Sequence, residues 1–306
     1  MGAFFRKIIL FAPLSFLFYS LMILVVGELG NSMWKKNLVN SGLSYNYTIN
    51  RLEEAENIED IDILFLGSSH TLRGLDVRIF QTHGLKTFNL GTISQPPTET
   101  IKLLHRYIDR MDPDKIIIDT CPDIFMSDGL GSEIDIMINS PISLYTILRA
   151  LDINQLKLYN TLIWRGWQQA FSLESRLPQP NTSRYVPGGY LERVLRFNND
   201  SKDLSSRRWN PKEAQLRALK EIIELCKVKK IELLLVYIPV APSYYNTQLD
   251  LPYFDSLMSS QGTYHNYNNY LDLNDSIQFE DNTHLNQLGV EIFNQALIRD
   301  LMQPLN

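Results

Sequence analysis

The sequence predicts an α/β fold: a doubly wound, parallel five-stranded sheet with a helical insertion, preceded by one N-terminal transmembrane helix. Three observations carry this prediction. Short apolar segments recur along the chain, segments with helical periodicity separate them, and a long uncharged stretch lies near the N-terminus. Strands that alternate with helices form parallel sheets with helices on both faces.

The predicted strands are short and mostly apolar, as strands buried on both faces are. They lie at 61–66, 86–90, 115–119, 231–238 and 267–273. Apolar residues recur at helical spacing over 98–110, and Pro96 and Pro97 stand where that helix begins. Further helices are predicted over 211–227 and 286–302.

Two regions interrupt this alternation. Residues 28–60 have loose helical spacing with polar residues between, which is typical of a tether. Residues 125–210 are rich in Tyr, Trp, Asn, Ser and Arg, and we interpret them as an insertion of helices and loops, with a Pro/Asn-rich loop at 177–181. The predicted organisation is therefore an anchor at 1–27, a tether at 28–60 and an α/β domain at 61–306.

Residues 8–27 contain no charged side chain, and about 20 apolar residues suffice to cross a bilayer. Arg6 and Lys7 precede the stretch and favour a cytoplasmic N-terminus, although Lys35 and Lys36 follow it. We expect a single-pass membrane anchor, with the domain outside the cytoplasm. A cleaved signal peptide is the alternative; against it, the stretch is long for a signal and no clear cleavage site follows.

Charge and cysteine content narrow the function classes. The chain has 34 acidic and 29 basic residues, a net charge of −5, which argues against a nucleic-acid partner. Its two cysteines, Cys121 and Cys226, are expected to be buried thiols. The histidines lack metal-ligand spacing and no glycine-rich phosphate loop is present, so neither a metal nor a cofactor is expected.

The segment Asp281-Asn282-Thr283-His284 is the most informative motif. An acid three residues before a histidine can orient the imidazole and stabilise its charged form while the other ring nitrogen takes a proton. Such a base needs a nucleophile, and Ser69 follows the first predicted strand in Gly67-Ser68-Ser69-His70. Together they form a candidate Ser-His-Asp triad.

Geometry supports the same grouping. Sites in open parallel sheets form beyond the carboxyl ends of the strands, and Ser69, Gly91 and Cys121 each follow a predicted strand. Simpler readings exist for each residue: a serine that caps a turn, an Asp281 that caps the last helix, and a His284 in that helix's first turn. Their joint occurrence favours a catalytic site.

The chain resembles SGNH/GDSL-type hydrolases over residues 61–125 and 211–302. The Ser69 block, the block Asn89-Leu90-Gly91 and the Asp281–His284 block, extended by Leu285, Asn286 and Gly289, carry the resemblance. It implies an oxyanion hole formed by the N–H groups of Ser69 and Gly91. The family's third-block Asn is absent, because Pro122 stands in its place.

Membrane-anchored members that modify envelope polymers, such as alginate and peptidoglycan O-acetyltransferases and D-alanine transfer proteins, look similar. The resemblance implies an acylated glycan or other ester as substrate and a multi-pass membrane O-acyltransferase as partner. Arg73, His70 and Asn89 are candidate substrate contacts, with a surface ion pair as the alternative for Arg73 and a structural role for His70. Three hypotheses stay open: acyl transfer, deacylation, and a non-catalytic glycan-binding or scaffold subunit.

Overall fold

The computed structural model describes residues 2–31, 33–39, 47–173, 181–199 and 204–302, without the side chains of 2–8, 10 and 145. Of the predicted tether, residues 32 and 40–46 lie outside this part of the chain. Of the predicted loop at 177–181, only Asn181 lies within it.

The strands follow the predicted apolar segments closely at four of the five positions. They are β1 Ile63–Leu66, β2 Thr87–Asn89, β3 Lys115–Asp119, β4 Ser183–Val186, β5 Tyr190–Arg193, β6 Glu232–Tyr237 and β7 Thr263–Asn266. The helices are α1 Gly2–Leu29, α2 Thr48–Ala55, α3 Ser69–Gly74, α4 Val77–Gln81, α5 Pro97–Met111, α6 Pro122–Met126, α7 Leu130–Ile138, α8 Leu144–Ile153, α9 Leu156–Ala170, α10 Glu213–Lys229, α11 Pro242–Tyr245, α12 Leu251–Gln261, α13 Asp275–Gln278 and α14 Gln287–Met302, with a 3-10 helix at Trp34–Asn37.

The main sheet has five parallel strands in the order β2-β1-β3-β6-β7. Numbered within the sheet this is 2-1-3-4-5, the order of flavodoxin-like doubly wound folds. The predicted fold class is confirmed. Strands β1 and β3 form the apolar centre of the sheet: Ile63, Leu64, Phe65 and Leu66 are buried, as are Ile116, Ile117 and Ile118.

The fifth strand lies earlier in the chain than predicted. It is Thr263–Asn266, paired with β6 through Leu234 and Thr263, and not 267–273. β7 is an edge strand whose residues are exposed or half-buried, so it lacks the apolar run that marks the central strands. The helix before it, α12, was also not predicted.

The chain divides into two compact units: residues 1–44 with 133–178, and residues 45–132 with 179–306. The sheet belongs to the second unit. Two segments that the sequence assigned to the tether and the insertion also fold into it, namely α2 and the antiparallel hairpin β4-β5. The buried Arg51 of α2 donates from Nε to the carbonyl of Gly189 in the hairpin turn, at 2.8 Å.

The hairpin turn requires glycine. Gly188 and Gly189 have φ of 97° and 91°, and a Cβ on Gly189 would lie 2.0 Å from the carbonyl oxygen of Asn89. The Asn89 N–H donates to the carbonyl of Gly188 at 2.7 Å. This close approach joins the hairpin to the end of edge strand β2, a contact that a side chain would prevent.

In the first unit, helix α1 is both long enough and apolar enough to cross a membrane. A signal sequence near the N-terminus would meet the same description. Its inner side packs on α9. Ile23 of α1, Leu38 and Trp164 form a buried apolar cluster, and Gly27 faces the Trp164 ring so closely that a Cβ would lie 2.2 Å from it.

Candidate active site

The turn between β1 and α3 presents Ser69. Gly67 has φ of 138°, and a Cβ there would lie 2.7 Å from Cβ of Asp119, so only glycine fits. Ser68 is the N-cap of α3, and its hydroxyl accepts from the His70 N–H at 3.2 Å. Ser69 is therefore the first residue of a short helix that starts at the carboxyl end of a central strand.

The structure brings Ser69, His284 and Asp281 together in one continuous chain of contacts. Nε2 of His284 lies 2.8 Å from the Ser69 hydroxyl. Nδ1 of His284 lies 2.9 Å and 3.0 Å from the two carboxylate oxygens of Asp281. This is the geometry in which an imidazole can take the hydroxyl proton while the carboxylate orients the ring.

The Asp281–His284 segment holds itself in place. One Asp281 oxygen accepts from the N–H of Thr283 at 2.8 Å and from the N–H of His284 at 3.0 Å. These bonds bend the segment into a tight turn ahead of α14. Asp281 therefore does not cap the last helix, and His284 does not lie in its first turn, because α14 begins at Gln287.

Asn286 and Gly289 explain why the motif extends beyond the histidine. Asn286 accepts from the N–H groups of Leu288 and Gly289 and donates to the carbonyl of Ile277 at 2.8 Å, so it caps α14 and ties it to α13. A Cβ on Gly289 would lie 2.3 Å from the carbonyl oxygen of Gln278. This packing fixes the turn that carries the imidazole.

Asp281 is held in its charged form. Burial raises the pKa of Asp281, but the hydrogen bond and charge of His284, with the N–H and hydroxyl of Thr283, outweigh burial and leave the pKa below its usual value. The carboxylate therefore stays available to stabilise a positive imidazolium.

An open cavity of about 300 Å³ lies in front of Ser69. Its walls are Ser68, Ser69, His70, Ser94, Cys121, Asp123, Ile124, Ser127, Thr283 and His284. The expected convergence at the carboxyl rim of the sheet holds for Ser69, Cys121 and His284. The arrangement can accept a carbonyl carbon at the Ser69 hydroxyl with the leaving group in the open cavity.

Gly91 and Asn89 do not contribute to this cavity. The Gly91 N–H donates to the Asn89 side-chain oxygen at 3.0 Å, and Gly91 packs against Thr71, away from the opening. The fully buried Asn89 amide donates to the carbonyls of Thr71 and Leu75 at 2.7 and 2.9 Å. The oxyanion role predicted for Gly91 and the substrate contact predicted for Asn89 are corrected: both residues hold α3 against β2.

Ser94, and not Gly91, lines the cavity after β2. It lines the cavity with Ser69 and has a positive φ of 50°, an uncommon backbone conformation for serine. Thr92 holds its loop near the nucleophile, because the Thr92 N–H donates to the Gly67 carbonyl at 3.1 Å. Among the described residues, the N–H groups of Ser69 and Ser94 donate to no protein acceptor. No feature of the sequence singled out Ser94.

Arg73 is not a substrate contact in this geometry. Its guanidinium donates to Glu280 at 2.9 Å, and Arg193 lies 3.4 Å from the other Glu280 oxygen. Only 17% of the Arg73 side chain is exposed, and it is not among the cavity walls. Of the two alternatives the ion pair is the one observed, and it joins α3 to the residue next to Asp281.

His70 does line the cavity, and it stands edge-on to His284 with the ring centroids 5.3 Å apart. Burial and the neighbouring charge of His284 lower the pKa of His70 to about 3. Behind it, the fully buried Asp119 accepts from the Ser68 hydroxyl at 2.8 Å. His70 is thus a neutral imidazole between the cavity and a buried acid.

Asp119 gives a pH-dependent prediction. Burial raises the pKa of Asp119 from its usual 3.8 to about 7, against the lowering effect of its hydrogen bonds. The folded protein therefore binds a proton that the unfolded chain has released, and this stabilisation is present in acid and is lost as the pH rises through 7. Relative to Asp119→Asn, the wild type is expected to lose thermal stability between pH 5 and pH 8. An equal difference in melting temperature at both pH values would contradict this.

Cys121 lines the cavity, whereas Pro122, the next residue, is not among the cavity walls. Burial, with the charges of Asp119 and Asp123, raises the pKa of the Cys121 thiol well above its ordinary value, so it does not compete with Ser69 as a nucleophile. Pro122 begins α6 and has no N–H to donate. The donor that SGNH-type enzymes take from a third-block Asn has no counterpart at that position.

Glu280, Asp281 and His284 place three ligand-type atoms within 4.8 Å of one another. Each is already engaged: Glu280 by Arg73, and Asp281 and His284 by each other. A cation there would have to displace the Arg73 guanidinium and break the pair that orients the imidazole, so the chemistry of the group does not fit a metal site.

No family model matches the chain, and no curated protein sequence matches it. Among solved structures, the chain is similar to a GDSL-like lipase from Bacteroides thetaiotaomicron VPI-5482, with 11% identity, 84% of this chain and 98% of that chain covered, and a TM-score of 0.42. It is also similar to a protein assigned as an acylhydrolase from Bacteroides fragilis NCTC 9343, with 9% identity, coverages of 86% and 100%, and a TM-score of 0.41. Structural similarities this distant say nothing about activity. The inference of an activity rests on the side chains described above.

Proposed function

We propose that the protein is a serine-dependent esterase or O-acyltransferase that acts on an acylated cell-envelope glycan. The observation that carries the proposal is the unbroken contact chain from the Ser69 hydroxyl through His284 to Asp281, at the edge of an open cavity. Three side chains from distant parts of the sequence meet in the order that acyl transfer requires.

The reaction begins when Ser69 attacks the acyl carbonyl. His284 takes the hydroxyl proton through Nε2 and returns it to the departing alcohol, and Asp281 stabilises the imidazolium between these steps. The resulting acyl-enzyme passes its group to water or to a sugar hydroxyl. The open cavity leaves room for either.

The N–H groups of Ser69 and Ser94 are the candidate oxyanion donors. They are free of protein acceptors among the described residues, and both residues face the cavity. Each donor of this kind stabilises the transition state by about 3 kcal/mol. Since Pro122 stands in place of the third-block donor, these two backbone groups would carry the oxyanion.

An envelope location agrees with α1. A cleaved leader would uncover Trp164 and Leu38, which are buried against Ile23 of α1. This packing supports a retained single-pass anchor. The placement of the domain outside the cytoplasm rests on Arg6 and Lys7, which precede the uncharged stretch. A multi-pass membrane O-acyltransferase that delivers the acyl group is then the expected partner.

One observation favours a second candidate, a non-catalytic glycan-binding or scaffold subunit. Pro122 removes a donor that efficient hydrolysis uses. Analysis of products separates the candidates: the purified full chain is incubated with p-nitrophenyl acetate and a soluble polysaccharide. Acetylated polysaccharide supports transfer, acetate alone supports hydrolysis, and no acetyl release above the Ser69→Ala background supports the scaffold.

Asp281→Asn tests the orienting carboxylate. The amide preserves size but favours the wrong imidazole tautomer, so we expect turnover of p-nitrophenyl acetate to fall by roughly a thousandfold to ten-thousandfold with little change in KM. Asp272→Asn, a surface variant, serves as the control. A loss below tenfold would mean that Asp281 does not orient the base.

A further inference from the structure

Two buried groups beside the triad have no part in the steps above. His70 is 8% exposed and Asp119 is fully buried, and Nδ1 of His70 lies 3.6 Å from an Asp119 oxygen. The His70 ring shares the cavity with Ser69 and His284. A second histidine with its own acid thus stands next to the first.

Asp119 is arranged as an acceptor. Its oxygens accept hydrogen bonds from the Ser68 hydroxyl at 2.8 Å and from the Cys121 N–H at 3.2 Å. Burial raises the pKa of Asp119 to about 7, so above that pH the group is a carboxylate that accepts these bonds and faces His70.

The Asp119 carboxylate sets the tautomer of His70. Nδ1 is buried without a hydrogen-bond partner, and the Asp119 oxygen lies 3.6 Å away, too far for a hydrogen bond. The negative charge of the carboxylate at this distance still favours the proton of a neutral His70 ring on Nδ1. Nε2 then carries the lone pair. Since Nδ1 is on the buried side and the ring lines the cavity, Nε2 is the nitrogen on the cavity side.

We propose that in the second half of the reaction Nε2 of His70 binds the hydroxyl next to the attacking one, and that the acceptor class is therefore an alcohol with neighbouring hydroxyls, such as a sugar. The inference rests on the proposed function and extends it. His284 faces Ser69, and His70 stands 5.3 Å from His284, ring centre to ring centre. A vicinal diol can present one hydroxyl to each imidazole.

In this step the hydroxyl bound near His284 attacks the acyl carbon. A new bond forms between that oxygen and the carbonyl carbon, and the bond between the carbon and the Ser69 oxygen breaks. The proton of the attacking hydroxyl moves to Nε2 of His284 and then to the Ser69 oxygen. His70 accepts a hydrogen bond from the neighbouring hydroxyl and exchanges no proton, so it is a positioning residue.

The test separates acylation from transfer. The full-length protein reacts at pH 8 with p-nitrophenyl acetate and glycerol, and nitrophenol release gives the acylation rate. The ratio of glyceryl acetate to free acetate measures transfer. In His70→Asn the amide can keep the contact with Asp119 but does not reach the cavity, whereas in His70→Gln an amide oxygen reaches the position of Nε2. His105→Asn, on the exposed side of α5, is the control.

We expect His70→Asn to lower the transfer ratio by about tenfold, the effect of one lost hydrogen bond, and His70→Gln to restore much of it. The acylation rate is expected to change less than the ratio. An unchanged ratio, or an acylation rate that falls as far as transfer does, would overturn the inference, the second result because it would make His70 an oxyanion donor. No acylation of the folded wild type would remove the proposed function and this inference with it.

Discussion

Replacement of Ser69 with alanine is expected to lower the turnover of p-nitrophenyl acetate by about a millionfold, to the rate of the background reaction. The reason is that, among the described residues, the Ser69 hydroxyl is the nucleophile that contacts Nε2 of His284; the Thr283 hydroxyl lies on Nδ1, the side that faces Asp281. The Cys121 thiol is held protonated by burial, and the Ser68 hydroxyl donates to Asp119 at 2.8 Å. The measurement is a steady-state rate with a folding check by circular dichroism.

Ser68→Ala is the matched control for this variant. The two serines are adjacent, but only the Ser69 hydroxyl contacts His284. Loss of the Ser68 hydroxyl removes the N-cap of α3, which typically costs about 1 kcal/mol of stability, and leaves the triad in place. If turnover survived in Ser69→Ala but not in Ser68→Ala, the nucleophile would be Ser68, and the assignment of Ser69 would be wrong.

His284→Ala is the second variant with a very large expected effect. Without the imidazole, the Ser69 proton has no acceptor and the leaving group has no proton donor, so turnover should fall by about the same factor of a million. His83→Ala, at an exposed site on the surface, is the control.

The double variant Ser69→Ala/His284→Ala makes the prediction sharper. When two residues act as one catalytic unit, removing either of them abolishes the contribution of both. The double variant should therefore be about as slow as either single variant. If the two losses multiplied instead, the residues would act separately, and the contact of 2.8 Å between them would not be the catalytic one.

The sequence predicted the sheet and the proximity of Ser69, His284 and Asp281, because both are encoded in short local patterns. Apolar runs mark the central strands, which are buried on both faces, and parallel strands place their carboxyl ends on one edge. Ser69 and His284 each stand in a compact motif whose neighbours also have local roles. Gly67 allows the close approach of Asp119, and Asn286 caps the last helix.

The site residues and strands that the sequence analysis missed depend on the direction of backbone groups and on contacts between distant residues, which a short stretch of sequence does not determine. Whether the Gly91 N–H faces the cavity depends on the Asn89 side chain that captures it. Arg73 donates a hydrogen bond to Glu280, which lies 207 residues further along the chain. Ser94 becomes a cavity residue through the bond from Thr92 to Gly67. The edge strand β7 and the hairpin β4-β5 lack long apolar runs, so periodicity did not reveal them.

The most direct test of the triad is the site of covalent labelling by a fluorophosphonate. The full-length protein is treated with the probe, digested and analysed by mass spectrometry. The account predicts one adduct on Ser69, lost in Ser69→Ala and strongly slowed in His284→Ala, while Ser68→Ala is still labelled. A folded wild type that takes up no label, or an adduct on any residue other than Ser69, would contradict it.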